Sequence, residues 1–360
     1  MPHLVIMAAG TGGHITPGLA VAAEMRRRGW TVSWMGTTTG LENRLVPPAG
    51  LEMDTIAFSG LRGKGLLHTA TGGLRLLKAF WDCARLLRRR SADAVLGMGG
   101  YICFPGGLMA SLLGKPLMLV NADAALLLSN KALLPVADRV AFGFEGGSEG
   151  VQRAVVTGNP VRAEIAGIPE PALRFAGRVG RLRVLVVGGS LGARALNEAV
   201  PSALALMPEQ QRPIVIHQTG AANAESVARA YGDLGLADDA VTVRPFIDNM
   251  AEELSQADVV LCRAGAITVS ELCAAGVASI LVPLVVSTTA HHRHNAAYMA
   301  AQGAALHLEQ SALNPRSLAD TLMGLNRDRL LEMAQRARAC ARPDATSRVA
   351  DELERLVKAS

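Results

Sequence analysis

Twice along this chain a short apolar run ends in a glycine-rich turn and reopens as an amphipathic stretch. The first instance runs from Leu4-Val5-Ile6 through Gly10-Thr11-Gly12-Gly13 to a helical pattern over Pro17 to Arg28. The second runs from Arg183-Val184-Leu185-Val186-Val187 through Gly188-Gly189-Ser190-Leu191-Gly192-Ala193 to a helical pattern over about 193–206. An apolar run too short for a helix, followed by such a turn, reads as a buried strand feeding a crossover helix, the unit of parallel α/β sheets. Its recurrence half-way along 360 residues predicts two such sheets, hence two domains.

The intervening periodicity agrees. Strand patterns fall at 3–8, 31–36, 53–57, 93–97, 117–120, 138–142 and 154–157, with helical patterns at 17–28, 40–48, 66–89, 104–113 and 125–134. In the second half, strands read at 183–187, 214–218, 240–243, 258–261, 279–282 and 305–308. Helices read at 193–206, 222–234, 248–255, 267–275, 292–302, 315–323 and 327–340. A linker falls between Gly158-Asn159-Pro160 and Gly180. In doubly wound sheets, ligands sit in the crevice at the carboxyl ends of the strands. The turns there are therefore the candidate site.

Composition narrows the class. Hydrophobic residues make up 50%, enough for a large core, and the 37 glycines suit many tight βα turns. The five cysteines are scattered and lack metal spacing, so a reduced, cytoplasmic setting is expected. No signal peptide and no transmembrane run are expected. The net charge of +5 is not interleaved with stacking aromatics, which argues against nucleic acid and suits an anionic substrate or membrane surface. A different pattern lies at 60–90. After the basic loop Gly60-Leu61-Arg62-Gly63-Lys64-Gly65, Leu74, Leu76, Leu77, Phe80, Trp81, Leu86 and Leu87 alternate with Arg75, Lys78, Arg85, Arg88, Arg89 and Arg90. Either this is a core helix with a solvated basic face, or it lies on an anionic bilayer with Phe80 and Trp81 dipping in.

Five segments carry candidate chemistry. Around Gly10-Thr11-Gly12-Gly13-His14, the turn and helix N-terminus suit a phosphate, and His14 is a candidate proton acceptor; a tight turn without ligand is the alternative. Gly97-Met98-Gly99-Gly100-Tyr101 is a second loop at a strand's carboxyl end. In Gly158-Asn159-Pro160-Val161-Arg162, Arg162 can pair with a phosphate or form a surface ion pair. Gly188-Gly189-Ser190 is the second domain's phosphate-type turn. In Arg263-Ala264-Gly265-Ala266-Ile267-Thr268-Val269-Ser270-Glu271, Glu271 can take two ribose hydroxyls or simply sit near a helix N-terminus. The cluster His291, His292, His294 has no partner ligands in sequence, and no metal site is expected. Neither G-x-G-x-x-G nor a Walker loop is present.

Together with Ser59-Gly60-Leu61-Arg62-Gly63-Lys64 and Pro343-Asp344-Ala345-Thr346, these segments resemble, in order and nearly end to end, the bacterial peptidoglycan glycosyltransferases of the MurG family (glycosyltransferase family 28). The resemblance implies a GT-B fold, α/β, with two Rossmann-like doubly wound domains facing a cleft. It implies an N-terminal acceptor and membrane-binding domain of 1–162 and 341–360, and a C-terminal UDP-sugar domain of 163–340. It further implies inverting, metal-independent transfer of N-acetylglucosamine from UDP-N-acetylglucosamine (UDP-GlcNAc) to the C4 hydroxyl of lipid I, with no cofactor. The protein would be peripheral, on the cytoplasmic face of the inner membrane. Expected partners are UDP-GlcNAc, lipid I, anionic lipids and other cell-wall synthesis and division proteins.

Carried over by residue, His14 is the expected base with Asp123 second. Thr11, Gly12, Gly13, Arg162, Ser190, Phe246, Ile247, Thr268, Glu271 and His292 are expected at the donor. Gly99, Gly100, Tyr101 and Asp123 are expected at the acceptor, and Arg75, Lys78, Phe80, Trp81 and Arg85 at the membrane. Two segments depart from the family pattern. Val120-Asn121-Ala122-Asp123 stands where many members read His-Glu-Gln-Asn, and His292 replaces a sugar-binding Gln. A UDP-GlcNAc 2-epimerase and an inactive nucleotide-sugar-binding membrane protein are the rival readings.

Overall fold

The computed structural model describes residues 1–58, 66–189, 192–236, 240–284 and 291–359, with the backbone only for 66–72 and 74. The chain divides into two compact units, Met1–Arg162 with Arg342–Ser360, and Ala163–Ala341.

The first unit holds a seven-stranded parallel sheet: β1 (His3–Ala8), β2 (Thr31–Thr37), β3 (Glu52–Ile56), β4 (Ala94–Gly99), β5 (Leu117–Asn121), β6 (Arg139–Phe142) and β7 (Ala154–Val156). Their order is β3-β2-β1-β4-β5-β6-β7. The chain winds outward from β1 in one direction and from β4 in the other, so the topological switch point lies between them. Strand alternation explains the two-sided burial. Leu4, Ile6 and Ala8 enter one core layer, whereas Val5, Met7 and Ala9 enter the layer on the opposite face.

Several elements differ in extent from their sequence patterns. The first helix runs Gly12–Arg27 and encloses Pro17, so Gly12 and Gly13 are helical rather than part of the turn. Its apolar stripe starts at Ile15 and continues through Val21, Ala22 and Met25, and burial of that stripe overrides the proline signal. β4 extends to Gly99, because Ala8 pairs with Gly99 after a register shift past Met7. The pattern at 40–48 forms only the short helix Glu42–Leu45 and the turn Pro47–Ala49, since two prolines interrupt it. At 125–134 only Leu128–Lys131 is helical.

The C-terminal helix Ala345–Ala359 packs on Gly12–Arg27. Val349 and Leu353 are fully buried there, each worth about 1.5–3 kcal/mol. Arg28 ties the two helices through Asp351 at 2.7 Å and Glu354 at 3.3 Å.

The second unit holds a six-stranded parallel sheet: β8 (Arg183–Val187), β9 (Ile214–Gln218), β10 (Val241–Arg244), β11 (Val259–Cys262), β12 (Ala278–Leu281) and β13 (Ala305–His307). Their order, β10-β9-β8-β11-β12-β13, puts its switch point between β8 and β11. The expected linker carries two short helices, Ala163–Ala166 and Pro171–Phe175.

Candidate active site

In the first unit, the loops leaving β1 and β4 meet at the switch point. Ala9 N–H donates to Gly99 O at 3.2 Å. A Cβ on Gly99 would lie 2.5 Å from the His14 ring, and one on Gly100 would lie 2.4 Å from Ala9 O. Both glycines have positive φ, so only glycine admits this approach. His14, in the first turn of its helix, directs Nδ1 to Ala9 O at 3.2 Å. A carbonyl only accepts, so Nδ1 carries the proton and, in the neutral ring, Nε2 is the basic nitrogen. The two glycine segments singled out in the sequence thus form one structure around His14.

Glu42 was not among the expected residues, yet it anchors this loop. Its side chain is fully buried. Oε2 accepts from Gly10 N–H at 2.9 Å, and Oε1 accepts from Thr37 N–H at 2.8 Å and Thr37 Oγ1–H at 2.6 Å. Burial pushes its carboxyl up, but these donors outweigh burial and hold it below the ordinary carboxylate range. Gly36 and Gly40 make room, since a Cβ on either would strike the Glu42 side chain.

Tyr101 is exposed beyond β4, and Asp123 is buried beyond β5. β1 and β5 are two strand spacings apart, about 10 Å. The departure at 120–123 is a hydrogen-bonded turn. Asn121 Nδ2 donates to Asp123 O at 2.9 Å, and Asn121 Oδ1 accepts from Leu127 N–H at 2.9 Å. Arg162 is half-buried at the end of the first unit.

The second unit contains a cavity of about 490 Å³, within the range of small-molecule sites. Gly188, Gly192, Arg194, Glu198, Arg263 and Gln310 line it, at the carboxyl ends of β8, β11 and β13, with Arg194 and Glu198 paired at 2.6 Å. The N-terminus of helix Arg194–Ala205 borders it with no acidic residue in its first turn and no side-chain cap. Unpaired N–H groups and the helix dipole there favour an anion. Arg263 donates to Val282 O at 3.2 Å, and burial lowers its basicity. Gly192 has φ +79° and lies so close to Thr219 that a Cβ would be 2.0 Å from Thr219 O.

Beneath this turn runs a buried polar chain. Asn197 Nδ2 donates to Thr219 O at 3.1 Å, His217 Nε2 bonds Asn197 Oδ1 at 3.2 Å, and His217 Nδ1 bonds Tyr231 Oη at 3.0 Å. Burial pushes the His217 imidazole down to about 4, so it is neutral and donates to the amide oxygen from Nε2.

Helix Ala266–Ala275 leaves β11 and carries Thr268 and Glu271, both half-buried. A Cβ on Gly265 would have Thr268 Oγ1 at 3.8 Å and His292 Nε2 at 4.0 Å, so these two polar groups converge. Phe246 follows β10 and is 54% exposed, whereas Ile247 is buried in the core and offers a ligand only its backbone. Ser190 and the 60–65 loop lie outside the described residues.

On helix Leu66–Arg89, Ala79, Cys83, Leu86 and Leu87 face the core, while Leu77 and Trp81 are 65% and 62% exposed. Arg75, Lys78 and Arg85 are exposed beside them, with the Arg85 guanidinium 5.5 Å from the Trp81 ring centroid. Phe80 differs from the expected outward position. It is half-buried, with its ring 6.1 Å from that of Phe104.

Two family models cover most of the chain: the glycosyltransferase family 28 N-terminal domain over residues 4–142 and its C-terminal domain over 183–354. The chain belongs to glycosyltransferase family 28. Within family 28, it is 69% identical to the UDP-N-acetylglucosamine–N-acetylmuramyl-(pentapeptide) pyrophosphoryl-undecaprenol N-acetylglucosamine transferase of Methylibium petroleiphilum, over 99% of this chain and 98% of that protein. It is 58% identical to the transferase of the same name from Chromobacterium violaceum, over 98% of each. The crystal structure of Acinetobacter baumannii MurG is similar, with a TM-score of 0.83 at 37% identity over 99% of this chain and all of that one. A Neisseria meningitidis UDP-GlcNAc 2-epimerase shares the fold alone, with a TM-score of 0.69 at 13% identity over 99% of this chain and all of that one.

Proposed function

We propose that this chain transfers N-acetylglucosamine from UDP-GlcNAc to the C4 hydroxyl of the N-acetylmuramyl-pentapeptide of lipid I, giving lipid II. The observation that carries this reading is its full-length identity of 69% to a transferase of that name. The epimerase reading has only a fold likeness behind it.

In the proposed mechanism, His14 Nε2 accepts the proton of the C4 hydroxyl as its oxygen attacks the anomeric carbon of the donor. The bond from that carbon to the UDP oxygen breaks on the opposite face. Negative charge grows on the departing diphosphate, and the N-terminus of helix Arg194–Ala205 with Arg263 stabilises it. Glu271 binds the ribose hydroxyls, and the exposed Phe246 takes the uracil. Thr268 and His292 hydrogen-bond the sugar, so the histidine replaces the family's amide with one donor and one acceptor. Arg162 and Ser190 assist at the diphosphate, and Gly99, Gly100, Tyr101 and Asp123 shape the acceptor side.

Attachment to the membrane is proposed as peripheral. No helix among the described residues is long and apolar enough to cross a bilayer. Leu77 and Trp81 among Arg75, Lys78 and Arg85 suit an anionic surface, where each cation adds about 1 kcal/mol.

The test is UDP release from UDP-GlcNAc in EDTA, with and without lipid I. Acceptor-dependent release is expected. Release only with another UDP-sugar, or formation of the 2-epimer without acceptor, refutes the reading.

A further inference from the structure

We infer that Glu42 is a positioning residue that acts on His14 through a single peptide plane, that of Ala9–Gly10. The inference rests on the proposed role of His14. A fully buried carboxylate is costly, and among the described residues Glu42 is held by hydrogen bonds and by no cation. All three of its partners are hydrogen-bond donors, so it is held ionised by the loop itself.

The geometry explains what that charge does. In a trans peptide, C=O and N–H point in opposite directions. The Ala9–Gly10 peptide gives its N–H to Glu42 Oε2 at 2.9 Å and its C=O to His14 Nδ1–H at 3.2 Å. Glu42 and His14 are therefore the two ends of one hydrogen-bonded chain.

The peptide needs an anchor. Gly10 has φ +96° and no side chain, and a Cβ built on it would meet nothing within 4 Å, so nothing packs on the Gly10 end of the peptide, while Gly100 lies against its Ala9 O end. In the preceding peptide, Ala8 O accepts from Trp34 Nε1 at 2.9 Å and Ala9 N–H donates to Gly99 O at 3.2 Å. The 41–42 segment holds Gly10 from both sides, since Leu41 N–H also reaches Gly10 O at 3.4 Å. A carboxylate on the N–H polarises the peptide and strengthens the acceptor at its other end. That acceptor keeps the proton on Nδ1 and leaves Nε2 as the base. A carboxylate placed directly on a histidine does the same in other sites; here one peptide is interposed.

The experiment compares Glu42→Ala, Glu42→Gln, Thr37→Val and His14→Ala in the full chain. Turnover with lipid I, KM for UDP-GlcNAc and Tm are measured, together with the ¹⁵N spectrum of the histidines at pH 8. The His14 signals are assigned by their loss in His14→Ala.

Wild type is expected to show His14 with Nδ1 protonated. Glu42→Ala is expected to mix the two tautomers and to lower kcat about 10–100-fold, a part of the 10²–10⁴ that a general base supplies. Its KM for UDP-GlcNAc is expected to stay within about twofold. Glu42→Gln keeps an acceptor but loses the charge, and should fall between Glu42→Ala and wild type on both readouts. If Glu42→Ala does not fold, Glu42→Gln carries the test. Thr37→Val removes the Oγ1–H donor to Glu42 and keeps both backbone N–H donors, so it should lower Tm and move kcat and tautomer in the same direction as Glu42→Gln but less far.

The inference is overturned if the Glu42 variants lower Tm but leave the His14 tautomer and kcat as in wild type. The parent reading fails separately, by wild-type turnover in His14→Ala.

Discussion

Replacing Gly192 by alanine tests whether the turn after β8 holds the donor's diphosphate. The new Cβ would sit 2.0 Å from Thr219 O, and ordinary contact begins at 3.4 Å, so the two backbones must part by about 1.4 Å. Asn223 Nδ2, at 2.8 Å, closes the other side. The φ of +79° adds about 1–2 kcal/mol of strain for any residue with a side chain. The turn is tied to the strand end below it, because Asn197 on the cavity-bordering helix donates to Thr219 O. Moving Thr219 therefore moves both the turn and the helix N-terminus. Displacements of this size cost about a hundredfold where geometry matters. UDP affinity, measured by calorimetry, should weaken about 10–100-fold, with kcat/KM for UDP-GlcNAc falling in parallel and Tm dropping a few degrees. A drop in Tm with unchanged UDP affinity would mean that this turn is only a fold element.

Further outcomes follow from the same geometry. His14→Ala should reduce turnover about 10²–10⁴-fold while KM for UDP-GlcNAc changes little, and steady-state kinetics in both substrates separates the two. His217, pushed by burial from the ordinary 6.5 to about 4, is neutral in the fold and protonates in the unfolded chain below about pH 6.5. Its stabilisation is present above that pH and lost as pH falls toward 4, about 3 kcal/mol in all. Denaturant melts at pH 7.5 and 4.5 should show a correspondingly smaller pH slope in His217→Leu. Leu77→Ser with Trp81→Ser should reduce binding to anionic phospholipid vesicles in sedimentation assays, while turnover on a detergent-solubilised acceptor stays near wild type.

The fold was legible because its signal is repeated. A buried apolar run followed by a glycine turn marks most βα units, and its restart half-way along the chain marks a second sheet. Element ends were less legible where packing overrode a local signal. Pro17 pointed to a helix start, but the stripe from Ile15 brings Gly12 and Gly13 into the helix. Gly97 to Gly99 read as loop, yet they complete β4 because β1 runs beside them through a register shift.

The candidate site was legible as segments rather than as contacts. Nothing in the sequence says that Gly99 and Gly100 close on His14 and Ala9, because 85 residues separate Gly99 from His14 and only strand order brings them together. Glu42 was missed because a lone glutamate in a polar stretch reads as solvent-exposed. The available signal was its setting among Gly36, Thr37 and Gly40, small residues that leave room for a carboxylate. Phe80 was misplaced because helical periodicity puts it beside Trp81 on a wide apolar stripe. The neighbouring helix Cys103–Leu112 supplies Phe104 to cover it.

The two glycine turns look interchangeable in sequence, yet their electrostatics differ. At the end of β1, the N-terminus of helix Gly12–Arg27 carries about half a positive charge, but the buried Glu42 carboxylate bonds the residue just before its cap. A full negative charge there outweighs the dipole and disfavours a dianionic phosphate. At the end of β8, the helix N-terminus has no acid in its first turn, Glu198 on the cavity wall is paired with Arg194 at 2.6 Å, and Arg263 adds a cation. Free UDP should therefore bind the second unit's turn. Arg263→Ala removes a charge-assisted contact of about 1.5–3 kcal/mol, so UDP affinity should fall about 10–100-fold. Gly12→Ala places its Cβ 3.7 Å from Leu41, an ordinary contact, and should leave UDP affinity within about twofold. The opposite pattern, with UDP lost in Gly12→Ala and kept in Arg263→Ala, would move the diphosphate to the first turn. Glu42 would then be an obstacle to binding, and its removal should tighten UDP.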